Sequence, residues 1–203
     1  MAEREPKITA IVLAAGRSER MGSNKLLADL VGKPLIRLGV EMLLESSVYD
    51  VIVVTGNEEE KVRAALHSLD VAFAHNPNFA EGISTSLKIG LNAVSLDADG
   101  ALICLGDMPL IEMRTINRLI SSFDEVSHHT ICVPIYNGVR GNPVLWGRRH
   151  FMTLESIEGD QGGKLLMASL AKEILEVEAE SKTILLDVDT PGDLQEIKSI
   201  LKL

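Results

Sequence analysis

The most constraining feature of this sequence is an alternation between short apolar runs and segments whose apolar residues recur at helical spacing. The first run, Ile8 to Ala14, is nearly continuous and is soon followed by a glycine, which is typical of a parallel strand buried on both faces. From Pro34 to Leu44 the apolar positions recur every three or four residues. This spacing predicts a helix with Pro34 in its first turn. Strand, loop and helix therefore form the opening unit.

The alternation continues to residue 123 and then becomes less regular. The predicted strands are Val51 to Thr55, Val71 to Ala74 and Ala101 to Leu105, and the predicted helices are Asn57 to Ser68, Ile83 to Val94 and Glu112 to Phe123. Shorter strands (130–136, 144–146), a helix (148–154), an apolar run (183–186) and a last helix after Pro191 follow. We therefore predict a single α/β domain over residues 1–203, with a mostly parallel, doubly wound sheet and a substrate-binding insertion at about 130–170.

Size, charge and cysteine content exclude several classes of protein. A chain of 203 residues suits one domain. Its formal net charge of -9 disfavours nucleic acid and anionic membranes as partners. Because no apolar stretch reaches the length of a spanning helix or a signal core, the cytoplasm is the expected location. Cys104 and Cys132 lie in apolar runs without a metal-binding spacing and are predicted to be reduced core thiols.

The loop after the first predicted strand, residues 13–27, is the main candidate for phosphate binding, because ligands of open parallel sheets lie beyond the carboxyl ends of the strands. Its small residues allow backbone N–H groups to approach an anion, and Arg17, Arg20 and Lys25 outnumber the single acid Glu19. The loop matches neither G-x-x-x-x-G-K-[ST] nor G-x-G-x-x-G. It predicts a phosphate site, with a plain tight turn as the alternative.

Two acidic loops are candidates for a magnesium site. Asp107 directly follows a predicted strand in Gly106-Asp107-Met108-Pro109, and Asp187 and Asp189 lie on one side of the chain if the run 183–186 continues as a strand. Each loop also has a structural interpretation. Asp107 is suited to a turn before proline, and Asp189 or Thr190 is suited to capping the last helix, with Pro191 at its first position.

Taken together and in this order, the three loops resemble the MobA-like molybdenum cofactor nucleotidyltransferases, most closely their cytidylyltransferase branch. The specific motifs are 13–18 with 20–22 and Lys25, then 106–109, then 187–191 with 193–194, and the similarity spans nearly the whole chain. It implies a Rossmann-like fold of the nucleotide-diphospho-sugar transferase type. It also implies a magnesium-dependent enzyme that transfers CMP from CTP to the phosphate of molybdopterin and releases pyrophosphate.

The resemblance also implies roles for individual residues. The implied catalytic residues are Lys25, Arg17 and Asp107, and the implied metal ligands are Asp107, Asp189 and Asp187. The implied nucleotide-binding residues are Leu13, Ala14, Ala15, Gly16, Arg17, Lys25, Gly82, Ser84 and Ser86, although the last three equally suit an ordinary helix start. The implied acceptor-binding residues are Asn142, Gly159, Asp160 and Lys164.

Three departures bear on the substrates. Ala15 favours cytidine, because the guanylyltransferase branch tends to have glycine at this position. Asn142 replaces the family's common histidine and cannot carry a proton. Lys164 replaces a common arginine and cannot clamp phosphate with two hydrogen bonds. Two of the three departures thus lie among the residues implied to bind the acceptor.

Three alternatives remain beside the cytidylyltransferase. They are a guanylyltransferase acting on the same acceptor, a sugar-1-phosphate nucleotidyltransferase, and a non-catalytic nucleotide- or cofactor-binding protein that delivers molybdopterin to a molybdoenzyme client. The presence of Lys25, Asp107 and Asp189 together favours catalysis, because a protein that only binds has little need of all three.

Overall fold

The computed structural model describes residues 4–18, 21–124, 129–160 and 162–201. The strands are β1 (Ile8–Ala14), β2 (Asp29–Leu30), β3 (Lys33–Pro34), β4 (Asp50–Thr55), β5 (Ala72–His75), β6 (Gly100–Leu105), β7 (Ile131–Tyr136), β8 (Val139–Arg140), β9 (Val144–Gly147) and β10 (Ile174–Glu178). The α-helices are α1 (Leu35–Leu44), α2 (Glu59–Ala65), α3 (Ile83–Ala93), α4 (Met113–Ser121), α5 (Phe151–Glu155), α6 (Lys164–Met167) and α7 (Pro191–Ile200).

One mostly parallel sheet organises the molecule. Its strand order is β10-β7-β9-β6-β1-β4-β5, with β8 added to β7 and a separate β2-β3 ribbon. The strands β1, β4, β5 and β6 pair in parallel, as do β7 and β10, whereas β9 is antiparallel to both of its neighbours. Because Leu13 is in register with Leu105, and Ala14 with Thr55, three strands end at the same edge of the sheet.

Helices cover both faces of the sheet, which confirms the predicted doubly wound architecture. Strand β1 is buried on both sides, as its continuous apolar sequence predicts. Val12 faces a core built with α1, α2, α4 and α7. The adjacent Ile11 faces a second core built with α3 and α5. The alternation of side chains along a strand thus separates two helix layers.

Two local predictions were wrong. Residues 183–186 do not form a strand; Lys182–Leu185 is a 3-10 helix whose start is capped by the Ser181 side chain. The edge of the sheet is formed instead by β10, which pairs with β7. Strand β10 was not predicted, because the alternating pattern of its five residues is too short to distinguish a strand from a loop. Pro34 belongs to β3 and precedes α1, because its N-side neighbour Lys33 is held in the β2-β3 ribbon.

Two further predictions concern the core and the membrane. Cys104 and Cys132 are buried and unpaired in disulfides, and burial raises the pKa of Cys132 to about 12, so both are inert core thiols. In the described ranges, every helix is too short or too polar to cross a membrane.

Candidate active site

A cleft of 460 Å³ lies beyond the carboxyl ends of β1 and β6. Of the nine residues predicted to bind nucleotide, seven line it: Leu13, Ala15, Gly16, Arg17, Lys25, Gly82 and Ser86. The other two, Ala14 and Ser84, are 1% and 2% exposed and lie behind the wall of the cleft. The structure therefore brings seven of the nine residues together along one cleft.

The loop after β1 is shaped by local hydrogen bonds that place Lys25. The Ser18 hydroxyl accepts a hydrogen bond from the Lys25 N–H at 3.1 Å. The Asn24 side chain accepts one from the Leu26 N–H at 3.1 Å and caps the 3-10 turn Lys25–Leu27. In the same loop, the Arg17 guanidinium lies over the Phe79 ring, 5.6 Å from its centroid. Glu19 and Arg20, also part of the predicted loop, lie outside the described residues.

The three predicted acidic residues come together around Lys25. The Lys25 Nζ atom lies 2.6 Å from Asp107 Oδ2 and 2.6 Å from Asp189 Oδ1. Asp107, Asp187 and Asp189 each offer an oxygen within 4.8 Å of the others. The two acidic loops are joined by the Val188 N–H, which donates to the Asp107 carbonyl at 3.0 Å. Residues that are 82 positions apart in sequence thus form one cluster.

Burial and charge act against each other within this cluster. Burial raises the pKa of Asp107, and the neighbouring Lys25 offsets this only in part. Burial lowers the pKa of Lys25, but the negative charges and hydrogen bonds of Asp107 and Asp189 raise it by more. The pKa of Lys25 is therefore above its ordinary value. The Asp107 Oδ1 atom is buried and has no hydrogen-bond partner in the described part of the chain. Converging carboxylates with an unpartnered oxygen suit a hard divalent cation.

The start of α7 holds Asp189 in place. Thr190 caps this helix, and its side chain and that of Asp193 form a reciprocal capping box. Asp193 Oδ2 also accepts a hydrogen bond from the Asp189 N–H at 3.0 Å. The predicted cap at Thr190 and Pro191 is confirmed, and the Asp189 side chain still reaches Lys25.

Gly82 joins the two sides of the cleft. Its φ of +112° favours glycine, and a Cβ atom there would lie 2.4 Å from the Gly159 carbonyl carbon. The Ser84 N–H donates to the Gly159 carbonyl at 3.1 Å. These contacts bring Asp160, predicted on the acceptor side, onto the wall of the main cleft.

A smaller pocket of 190 Å³ adjoins the cleft and shares Leu13, Ile83 and Leu105 with it. Asn142 lines this pocket together with Trp146. Lys164 begins α6, and its side chain lies outside the described part of the structure. Of the four residues predicted to bind the acceptor, Asp160 thus lines the main cleft and Asn142 lines the smaller pocket beside it.

The resemblance also covers residues 76–86 as a segment that helps to hold the nucleotide, and the structure places two further residues of that segment at the cleft. Phe79 lines the cleft and Asn76 is 1% exposed beneath it. A lone aromatic residue in an otherwise polar segment after β5 was the available sign for Phe79. The resemblance covered both residues only as members of the segment and gave neither an individual role, and asparagine before proline is also ordinary turn chemistry.

Comparisons with known proteins agree with this geometry. Residues 10–175 match the MobA-like NTP transferase domain. The molybdenum cofactor cytidylyltransferase of Escherichia coli (strain K12) is 26% identical over 186 residues, covering 92% of this chain and 93% of that protein. The purine catabolism protein PucB of Bacillus subtilis (strain 168) is 28% identical over 209 residues, covering 96% and 98%.

Two solved structures have the same fold. A nucleotidyl transferase from Methanothermobacter thermautotroptrophicus superposes with a TM-score of 0.84 at 27% identity, over 97% of this chain and 98% of that one. A Mycobacterium tuberculosis protein solved in complex with manganese has a TM-score of 0.78 at 27% identity, over 94% and 97%. The family match covers most of the chain, and it agrees with the cleft and with the loops that converge there. This chain therefore belongs to the MobA-like NTP transferase family and is a nucleotidyltransferase.

Proposed function

We propose that this enzyme transfers CMP from CTP to the terminal phosphate of a molybdopterin-type acceptor and releases pyrophosphate. The observation that carries the proposal is the convergence of the glycine-containing loop 13–27 and two acidic loops on Lys25 within one cleft. The choice of CTP rests on Ala15, and the choice of acceptor on the resemblance to the cytidylyltransferase branch. The likeness to a molybdenum cofactor cytidylyltransferase supports both.

The reaction is a single displacement at phosphorus. An oxygen of the acceptor phosphate forms a bond to the α-phosphorus of CTP. The bond from that phosphorus to the oxygen bridging to the β-phosphate breaks, and pyrophosphate leaves with the electron pair. Since a terminal phosphate is already largely ionised near neutral pH, the mechanism needs no dedicated general base, and catalysis consists of positioning and charge neutralisation.

Lys25 and Arg17 neutralise the triphosphate in this proposal. Lys25 Nζ is held at the acidic end of the cleft, next to the place where negative charge develops, so we assign it the larger catalytic role. The backbone of Leu13 to Gly16 and residues Gly82, Ser84 and Ser86 hold the remaining parts of the nucleotide. Ser84 acts from behind the wall through its bond to Gly159.

Three carboxylates of this chain are suitable ligands for a magnesium ion. Asp107, Asp187 and Asp189 would hold it, since their oxygens converge and one Asp107 oxygen is buried without a partner in the described ranges. When bound, the ion supplies positive charge beside the phosphates. The relative solved in complex with manganese supports the use of a divalent metal in this proposal.

The acceptor lies on the side formed by residues of about 130–170. Asn142, Gly159, Asp160 and Lys164 contact it in this proposal, and the 190 Å³ pocket that Asn142 lines receives its non-phosphate part. The product then passes to a molybdoenzyme client in the cytoplasm.

A turnover assay tests this function. The purified protein is incubated with magnesium, molybdopterin and each of CTP, GTP, ATP and UTP, and pyrophosphate release and product mass are measured. We expect a dinucleotide product with CTP. A product with GTP alone identifies a guanylyltransferase. Pyrophosphate release only with a sugar 1-phosphate, or nucleotide binding without release under any condition, contradicts the proposal.

A further inference from the structure

Both the oxygen and the nitrogen of the Asn76 side-chain amide form hydrogen bonds beneath the cleft. Its Oδ1 atom accepts a hydrogen bond from the Asn78 N–H at 2.9 Å. Its Nδ2 group donates to Thr85 Oγ1 at 2.8 Å and to Ser86 Oγ at 2.9 Å. The residue is 1% exposed, and its backbone N–H donates to the Thr55 carbonyl at 2.8 Å. Because the acceptor side of the amide faces an N–H, the amide can be oriented in only one way.

The two hydroxyls held by Asn76 differ in where their own hydrogens go. Thr85 Oγ1 lies 2.8 Å from the Gly82 carbonyl and donates to it. Ser86 Oγ accepts from Asn76, and within the described residues it donates to no protein group. Ser86 is 5% exposed and lines the cleft. Its hydrogen is therefore available on the cleft side, and a buried donor without a partner is costly.

We infer that Asn76 is a positioning residue that fixes the Ser86 hydroxyl as a hydrogen-bond donor to the bound nucleotide. The atom that it meets is an acceptor: a carbonyl oxygen or ring nitrogen of the base, or a phosphate oxygen. This inference rests on the proposed nucleotide-binding function. It adds that, in the contact between Ser86 and the nucleotide, the Ser86 hydroxyl is the donor and the nucleotide atom is the acceptor. It also makes Asn76 act through Ser86, without touching the nucleotide.

Reversing that polarity tests the inference. In Asn76→Asp the carboxylate has no donor, so Ser86 turns its hydrogen to the carboxylate and away from the cleft. We expect the dissociation constant for CTP with magnesium, measured by calorimetry, to rise about tenfold, as it does in Ser86→Ala. Thr85→Val removes the other hydroxyl that Asn76 holds, and it should leave CTP affinity within about twofold. In turnover, KM for CTP rises while kcat changes little.

A double variant separates positioning from simple charge repulsion. If Asn76→Asp acts through Ser86, it adds little further loss in the Ser86→Ala background. If the new carboxylate repels the triphosphate directly, the full loss persists in that background, and the inference is overturned. Inorganic tripolyphosphate as ligand locates the contact: Ser86→Ala weakens it only if the hydroxyl meets a phosphate oxygen, and spares it if the hydroxyl meets the base.

Folding failure of Asn76→Asp, measured by circular dichroism, leaves the Ser86→Ala and Thr85→Val pair as the decisive comparison. Equal loss of CTP affinity in both overturns the inference. Absence of nucleotide binding by the unmodified protein overturns the proposed function and this inference with it. Normal binding by the unmodified protein and by a folded Asn76→Asp variant overturns this inference alone.

Discussion

At the scale of single residues, Lys25 occupies the place where a metal ion would meet its ligands. Its ammonium lies 2.6 Å from an oxygen of both Asp107 and Asp189, and the two side chains of the Lys25–Asp107 pair are each 16% exposed. A divalent cation that binds both carboxylates competes with this ammonium. A triphosphate offers the ammonium another anionic partner, so metal and nucleotide are expected to favour each other's binding.

Lys25→Met tests this competition. Removing the ammonium while keeping the length of the side chain should tighten Mn²⁺ binding to the nucleotide-free protein by about tenfold and abolish most turnover. Mn²⁺ affinity is measured by electron paramagnetic resonance. Arg17→Met is the matched control, because Arg17 lines the same cleft but lies over Phe79. Unchanged Mn²⁺ affinity in Lys25→Met would show that the ammonium does not obstruct the metal.

Asp107→Ala addresses the metal ligands directly. Asp107 has a buried oxygen without a partner in the described ranges, so its loss should remove most turnover and most Mn²⁺ binding while the fold survives. Steady-state rates and a thermal melt are the measurements. A melting temperature close to that of the unmodified protein with near-normal rates would exclude Asp107 from the metal site.

At the scale of elements, the start of α7 couples stability to the site, because the capping box that begins the helix also anchors the Asp189 backbone. In Thr190→Ala the loss of the cap should cost about 1 kcal/mol of unfolding free energy. That lowers the melting temperature by roughly 2–4 °C for a domain of this size. It should also raise the metal concentration needed for half-maximal rate.

Thr153→Ala is the matched control for this experiment. Thr153 is exposed within α5, and alanine is a better helix former than threonine, so no loss of stability is expected. Equal melting temperatures for Thr190→Ala and Thr153→Ala would show that the capping box contributes nothing measurable to α7.

At the scale of the whole molecule, ligand binding should appear as global stability. A ligand that binds only the native state adds about 2.7 kcal/mol at a hundredfold excess over its dissociation constant. We expect the largest rise in melting temperature with CTP plus magnesium, and a smaller rise without the metal. The largest rise with GTP would indicate the guanylyltransferase branch. No rise with CTP, GTP, ATP or UTP would remove the assignment of loop 13–27 to nucleotide.

The sequence alone determined the class of fold and where along the chain most residues that line the cleft are found. Hydrophobic periodicity is a local property, so β1, α1 and the units up to α4 could be predicted within a few residues. The strand-end rule then placed Lys25 and Asp107 at one edge of the sheet. Short elements such as β10 were missed, because five residues of alternating polarity acquire strand structure only by pairing, here with β7.

Only the tertiary structure decided which of these residues meet. Asp187 and Asp189 reach the cluster from a segment outside the sheet, because a hydrogen bond from Val188 to Asp107 joins their loops. Gly82 reaches Gly159 across 76 intervening residues, and no local pattern specifies such a contact. The hydrogen-bond polarity around Asn76 was equally invisible, since it depends on which N–H, hydroxyl and carbonyl groups the folded chain brings within about 3 Å of one another.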